Sequence, residues 1–513
     1  MPFLIDFAGV DLLSNRELRK KLARCATAPE RDELHDFKSA TRGRGGAESV
    51  ARAVAERKWH PGKSWAKHFT KTLGFPASFA GFSGSPSEPD SIEIQPFRPL
   101  PELEAFQVEL LKPIWEVFSS RAGSNRAILT LPTGAGKTRT TVEAIFNWYL
   151  QTPERGTVLW IAQSEELCEQ AVQAFREVWI DFGHRDSNVR ESLQLHRLWG
   201  ANKKIPEQAN IVVASIQMLY AIVSEEDDPR HDELAELAND LCLVVVDEAH
   251  RIPAPSYTEV LGFIGINVAR GKTSELPLLG LTATPFRGAD AETQSLVNKF
   301  NGKLIRPLSL SQDPVADLRT KGVLSRPVHE VLQAGGGPIS LDANPQYRDY
   351  FERFNDFHPD LLGALGEESG RNKQILDRLC LMPAEWPVLF FGCSVEHATA
   401  MAVLLRRKGR TAATVTGNTR AATRRALIEE FRAGRISTLC NYGVLTTGFD
   451  APKVRALVIS RPTASPVLYE QMIGRGMRGP RFGGTEQCLV IDVVDNIRFG
   501  GQMAFTRYQE YWE

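Results

Sequence analysis

The segment that most limits what this chain can fold into is a strand, a glycine turn and a helix in immediate succession. Ile128–Leu131 is a mostly apolar strand. It runs into Pro132, Thr133, Gly134, Ala135, Gly136, Lys137 and Thr138, and a helical run follows over Arg139–Tyr149. Gly134 and Gly136 permit backbone angles that turn several N–H groups toward one anion, and the helix points its positive dipole end at the same place. Lys137 is suited to the β- and γ-phosphates of a nucleotide, and Thr138 to Mg²⁺ through its hydroxyl. Leu131 stands where the general phosphate-loop pattern asks for glycine. A plain glycine turn is the alternative, but GKT between strand and helix is uncommon in such turns.

The surroundings extend the pattern. Apolar runs at Ala127–Leu131, Thr157–Ala162, Ile211–Ala214, Leu241–Val246 and Leu278–Leu281 alternate with helical stretches, as in a parallel sheet covered on both faces. A second series follows at Val388–Phe391, Thr411–Val415, Ser437–Asn441, Ala456–Ser460 and Cys488–Asp492. The sequence therefore predicts an α/β chain with two parallel-sheet domains in tandem, over 96–325 and 326–513. A small, mainly α N-terminal accessory domain over 1–95 precedes them. Ser/Pro/Gly-rich Gly81–Asp90 reads as a linker and Gly335–Pro338 as a joint. With 513 residues, more than one core is expected.

Acidic residues follow one of these strands. Val244–Val246 leads into Asp247, Glu248, Ala249 and His250, at the carboxyl end of a parallel strand where such sheets bind ligands. Asp247 is the candidate Mg²⁺ ligand, and Glu248 the group that orients and deprotonates water. Thr282 and Thr284, after another strand, are placed to pair with the side chains of that acidic turn and couple them to the phosphate. In the second series, Gln471, Gly474, Arg475 and Arg478 form QMIGRGMR. Read as a helix, this puts Arg475 and Arg478 on one face as arginine fingers. A basic surface helix is the competing reading of that pair.

Taken together, these segments resemble a superfamily-2 helicase of the DEAH-signature type over about residues 97–495. PTGAGKT is similar to motif I, DEAH to motif II, LTATP to motif III, LTTGFD to motif V and QMIGRGMR to motif VI. Trp160–Gln170 looks like motif Ia and Val213–Leu219 like motif Ib. The resemblance implies two RecA-like domains with ATP and Mg²⁺ in the cleft between them. It implies an adenine-reading Gln107, and closure of Gly448, Asp450, Gln471, Arg475 and Arg478 over the nucleotide. It also implies strand contacts near Ser164, Ser215, Gln217, Arg287 and Thr446, mostly to phosphates. LTATPFR, LTTGFDAP and GRGMR look like the XPB/UvsW-like DNA helicases and the motor subunits of restriction systems. DEAD-box RNA helicases usually show DEAD, SAT and HRxGR, so DNA is expected over RNA. Protein partners in a defence or repair complex are open.

Charge and cysteine usage restrict the rest. Lys plus Arg number 61 and Asp plus Glu 62, so global charge does not select a nucleic-acid partner. Phe37–Leu73 is locally basic, with nine Lys or Arg against Glu48 and Glu56, and carries Trp59, Trp65 and Phe69. Those aromatics suit base stacking, their own small core, or partner docking. The seven cysteines include no CxxC pair, which points to reduced thiols and a cytoplasmic setting. No apolar run approaches the ~18 residues of a membrane span.

Overall fold

A computed structural model describes residue 13 and residues 15–493 except 38–46, 76, 81–90, 95–99, 121–124, 153–155, 186–188, 190, 201, 226, 269–275, 287–289, 312, 334–343, 355, 420, 446–452 and 464. The sequence-predicted linker at 81–90, the joint at 335–338, and Arg287, Thr446, Gly448 and Asp450 lie outside the described residues.

The first sheet contains β1 (Ser91–Ile94), β2 (Arg126–Thr130), β3 (Thr157–Ala162), β4 (Leu193–Leu198), β5 (Ile211–Ser215), β6 (Leu241–Asp247), β7 (Leu278–Thr282) and β8 (Leu304–Ile305). Their spatial order is β1-β4-β5-β3-β6-β7-β2-β8. Apart from the antiparallel β1–β4 edge, neighbouring strands run parallel. The inner strands β2, β3, β5 and β7 are buried at every position, because helices cover both faces. Ser91–Ile94, grouped with the N-terminal segment on sequence grounds, instead contributes that edge strand.

The second sheet contains β9 (Arg326–Leu332), β10 (Val388–Phe391), β11 (Ala412–Thr416), β12 (Thr438–Tyr442), β13 (Ala456–Ile459) and β14 (Gln487–Val493). Its order is β11-β12-β10-β13-β14-β9, and every pairing is parallel. One apolar cluster includes residues of both sheets, with Leu324, Ile473 and Met477 among its members. The two domains are therefore packed against each other across the cleft that carries the site.

The N-terminal part is helical over Arg16–Cys25, Ala28–Asp36, Ala47–Glu56 and Ser64–Thr72. The first two helices are separated at Thr27, whose backbone N–H donates to Glu30 at 2.7 Å in a capping box with Pro29 inside the first turn. Trp65, Phe69, Phe75 and Phe79 are buried in this unit's own core. Trp65 and Trp59 each pack on Phe69, with centroids 5.8 and 5.7 Å apart. The Arg57 and Arg19 guanidiniums lie over Trp65 and Trp59 at 4.6 and 5.1 Å. Trp65 and Phe69 are thus core residues and do not present their faces for stacking. Lys58, Lys63, Lys67 and Lys71 remain exposed. None of the seven cysteines is paired. No described helix is long and apolar enough to cross a membrane.

Candidate functional site

The phosphate loop leaves β2 and enters the helix Lys137–Tyr149 through Gly136, which caps that helix at φ +86°. Gly134 adopts φ +87°. Both values lie in the left-handed region that favours glycine. Lys137 donates from Nζ to the Leu131 carbonyl at 3.0 Å. Burial pushes its ammonium pKa down, while the carboxylates of Glu248, Asp247 and Glu470 act in the opposite sense. Gln107 lies against the same loop, donating from Nε2 to the Ala135 carbonyl at 3.1 Å.

Two strands away in the sheet, Asp247 ends β6 and accepts the Glu248 N–H at 3.0 Å. Glu248 itself has φ +52°, an uncommon conformation for a residue with a side chain, and such departures concentrate at functional sites. Burial, then the neighbouring Glu248 charge, push the Asp247 carboxyl well above the usual carboxylate range. Burial also pushes Glu248 up. The hydrogen bond with His250, and then the charges of His250, Lys137 and Arg475, outweigh it and hold this carboxyl low, in its ionised form. His250 Nδ1 is 3.2 Å from Glu248 Oε2 and 3.0 Å from Thr282 Oγ1, and Thr282 Oγ1 accepts the Thr284 N–H at 3.0 Å. The structure thus joins Glu248, His250, Thr282 and Thr284 in one chain of contacts from the acidic turn to the end of β7.

The opposite wall of the cleft comes from the second domain. The helix Pro466–Ile473 ends at Gly474, so Arg475 sits in the following turn and Arg478 forms an isolated antiparallel bridge with Leu324. The helical pairing of the two arginines expected from their spacing is therefore corrected. Glycine is needed at Gly474 and Gly476, because a side chain at either position would meet an obstacle at close range. A Cβ on Gly474 would lie 2.7 Å from the Thr133 Cβ, and one on Gly476 would be 3.1 Å from Leu457 Cδ1. Arg475 and Arg478 nevertheless line the same cleft of about 1500 Å³ as Lys137, Thr138, Asp247 and Glu248. A Cβ on Gly134 would be 3.7 Å from Arg478 Cγ, so the phosphate loop and this arginine are close neighbours across the domain boundary. Gln471 lies buried on the helix, and its backbone carbonyl accepts from Arg475 Nε at 3.4 Å.

The contact at Gly474 has a direct consequence. Its φ of −54° suits alanine, so Gly474→Ala introduces a collision without backbone strain. We expect it to lower ATP turnover about 10²-fold through misplacement of the arginine turn, with folding intact by circular dichroism. Thr133→Ser, which removes the methyl group in the way, should restore part of the loss. Full activity in Gly474→Ala would show that the two walls do not need this approach.

The described strand-contact candidates, Ser164, Ser215 and Gln217, lie at the carboxyl edge of the first sheet. Ser164 Oγ accepts the Leu167 N–H at 3.3 Å at the start of the helix Glu165–Arg185. Ser215, the last residue of β5, caps the next helix by accepting the Met218 N–H at 3.2 Å. Gln217 donates to the Gln163 carbonyl at 2.7 Å, which ties the two segments together. Each side chain is thus already used to shape the edge. Sequence reasoning missed Arg424, which ion-pairs with Glu166 across the domain boundary.

Residues 100–287 match the family described as type III restriction enzyme, res subunit, and residues 372–480 match the helicase conserved C-terminal domain. The chain is 26% identical over 386 residues to the "Putative ATP-dependent helicase IRC3" of Saccharomyces cerevisiae, covering 74% of this chain and 50% of that protein. It is 24% identical over 386 residues to the type I restriction enzyme EcoKI endonuclease subunit of Escherichia coli, covering 69% and 31%. The chain spans about half of the first relative's length and a third of the second's. The DEAD-box helicase Mss116 bound to single-stranded RNA superposes with a TM-score of 0.52 at 17% identity, over 78% of this chain and 72% of that one. A fragment described as "a putative HsdR subunit of a type I restriction enzyme" from Vibrio vulnificus gives a TM-score of 0.51 at 19% identity, over 80% and 68%. At these identities the superpositions speak to the fold alone.

Proposed function

We propose that this chain, which carries the paired domains of a superfamily-2 helicase and with them the core of a nucleic-acid-dependent ATPase, is an ATP-dependent DNA helicase or DNA translocase of the DEAH-signature branch. The observation that carries the reading is the two-sided cleft. Lys137, Asp247 and Glu248 stand on one domain, with Arg475 and Arg478 on the other. A site completed by two domains couples hydrolysis to their relative motion.

In this reading, Lys137 and the loop N–H groups hold the β- and γ-phosphates. Glu248, ionised beside His250, orients the attacking water and accepts its proton. Arg475 and Arg478 balance the charge that develops on the transferred phosphoryl group. The donor set fits Mg²⁺. It offers one buried carboxylate, Asp247, and the Thr138 hydroxyl, all hard oxygen, for a cation that retains waters and takes its other ligands from phosphates. When bound, the cation neutralises phosphate charge. His250, Thr282 and Thr284 link the acidic turn to the domain edge. Ser164, Ser215 and Gln217, with Arg287 and Thr446, shape the path of a strand.

DNA is favoured over RNA by LTATPFR and GRGMR and by the likeness to restriction-enzyme subunits. A second reading, a motor subunit in a restriction or anti-phage complex, is favoured by the same likeness. The test is ATP hydrolysis with single-stranded, duplex and forked DNA and with RNA. DNA is expected to raise turnover by one to two orders of magnitude, and Lys137→Ala to abolish it. Stimulation by RNA alone would overturn the DNA assignment. Co-purification of a nuclease would favour the second reading.

A further inference from the structure

The basic N-terminal segment takes no part in lining the cleft, and its fold sorts its cations into two sets. Arg57–Gly74 carries five Lys or Arg and no Asp or Glu. Arg57 turns inward over Trp65, and its Nη2 donates to the His35 carbonyl at 3.4 Å. Lys58, Lys63, Lys67 and Lys71 are exposed. Lys63, Lys67 and Lys71 recur every fourth residue, so along the helix Ser64–Thr72 and its N-cap they stand within about 80° of one another. Trp65, Ala66, Phe69 and Thr70 bury the opposite face. The stripe is about 12 Å long at the helical rise per residue.

Nothing nearby neutralises it. Among the described residues none of these four lysines is ion-paired. Glu33, on the flank of the same helix, accepts instead from the Thr72 hydroxyl at 3.0 Å. Lys63 holds the N-cap without a side-chain cap bond, and the first turn contains no acidic residue. A cation at the positive end of a helix is unfavourable, so this arrangement costs local stability and concentrates positive potential. The interleaved aromatics are engaged within the unit. Trp65 and Phe69 are core, Phe37 stacks on His68 with centroids 4.5 Å apart, and the Arg19 guanidinium lies over Trp59 at 5.1 Å. A single strand is held by stacking its bases along a basic groove, and these rings offer no such platform. A duplex keeps its bases inside and presents one phosphate per about 1.7 Å of axis, or about seven along the stripe.

We infer that the Lys63, Lys67 and Lys71 face, with Lys58 beside it, is a docking surface for the sugar–phosphate backbone of duplex DNA. The inference goes beyond the cleft, and rests on the reading of the chain as a DNA motor. Each ammonium is a mobile point charge with three donors, which suits phosphates and carries no base information. The surface shares no residue with the cleft, so its grip does not depend on the nucleotide state. It keeps the duplex attached while the cleft opens.

The test measures binding of a fluorescent duplex of about 30 base pairs by the full chain, as anisotropy across a salt series. Wild type is compared with the triple variant Lys63→Gln, Lys67→Gln, Lys71→Gln and with Lys→Arg at the same three positions. The Gln variant should flatten the slope of log affinity against log salt by about 2–3, at roughly 0.9 per lost phosphate contact. At about 0.1 M salt its affinity should fall about 10²-fold. The DNA concentration that half-stimulates ATP hydrolysis should rise in step, with maximal turnover unchanged. The Arg variant should match wild type. A slope changed by less than about 1 overturns the inference. So does a loss that the Arg variant shares, which marks the lysines as supports of the fold. An equal or larger loss for a single strand of the same length overturns the duplex assignment. Absence of DNA-stimulated hydrolysis in wild type overturns the motor reading itself, and is seen without any lysine variant.

Discussion

Glu248→Gln is expected to reduce DNA-stimulated ATP turnover by about 10²–10⁴-fold while nucleotide binding survives. The substitution keeps the size of a half-buried side chain that lines the cleft, and it removes the negative charge. That charge is what the surroundings are arranged to keep. Burial pushes its pKa up, yet the hydrogen bond with His250 and the charges of His250, Lys137 and Arg475 outweigh it and hold the carboxyl ionised. A neutral amide there still accepts a hydrogen bond through its oxygen but cannot take a proton from water. Lys137→Ala should differ in kind: in the proposed reading its ammonium addresses the phosphates themselves, so its loss is expected to weaken binding as well as turnover. Rapid-quench turnover and equilibrium binding of a fluorescent ATP analogue separate the two variants. Retention of more than about a tenth of wild-type turnover in Glu248→Gln would remove this residue from the proton-transfer step.

The architecture was legible where burial on both faces removes polar alternation. LCLVVV before Asp247 reads as an inner strand of a covered sheet, and β6 is one. The ten apolar runs read as strands in the two series each fall on a strand of the structure to within one residue at either end. The phosphate loop was legible because positive φ at Gly134 and Gly136 leaves a glycine signature in the chain. Short or context-dependent features were not. Four residues at Ser91–Ile94 carry too little pattern to announce an antiparallel edge. Thr27-x-x-Glu30 with Pro29 is a readable helix start, although helical apolar spacing continues through it. The spacing of Arg475 and Arg478 suggested a helix, whereas Gly474 and Gly476 between them and before them were the better signal. The linker at 322–325, which bridges Leu324 to Arg478, leaves no local trace because its partner is about 150 residues away.

Arg475→Ala is expected to cost about 10³–10⁵-fold in turnover, the largest single-residue loss the cleft predicts outside the phosphate loop. The reason is electrostatic and positional. Arg475 acts on Lys137, Asp247 and Glu248 from the opposite domain, so its charge reaches the reacting groups only when the walls meet. An interaction that forms fully only in the closed, reacting state lowers the barrier without tightening the ground state. Turnover should therefore fall far more than ATP affinity. Arg475→Lys should rescue poorly, because an ammonium lacks the planar fork that spans two phosphate oxygens. Arg478→Ala is a useful contrast. The bridge to Leu324 and the bond from Ser325 Oγ to the Arg478 carbonyl at 2.5 Å are made by its backbone, so the turn survives truncation and only the side chain beside Gly134 is lost. Its deficit should appear in both affinity and turnover. If Arg475→Ala loses less than about 10-fold in single-turnover hydrolysis, the second domain is not completing the site, and the coupling of hydrolysis to domain motion loses its physical basis.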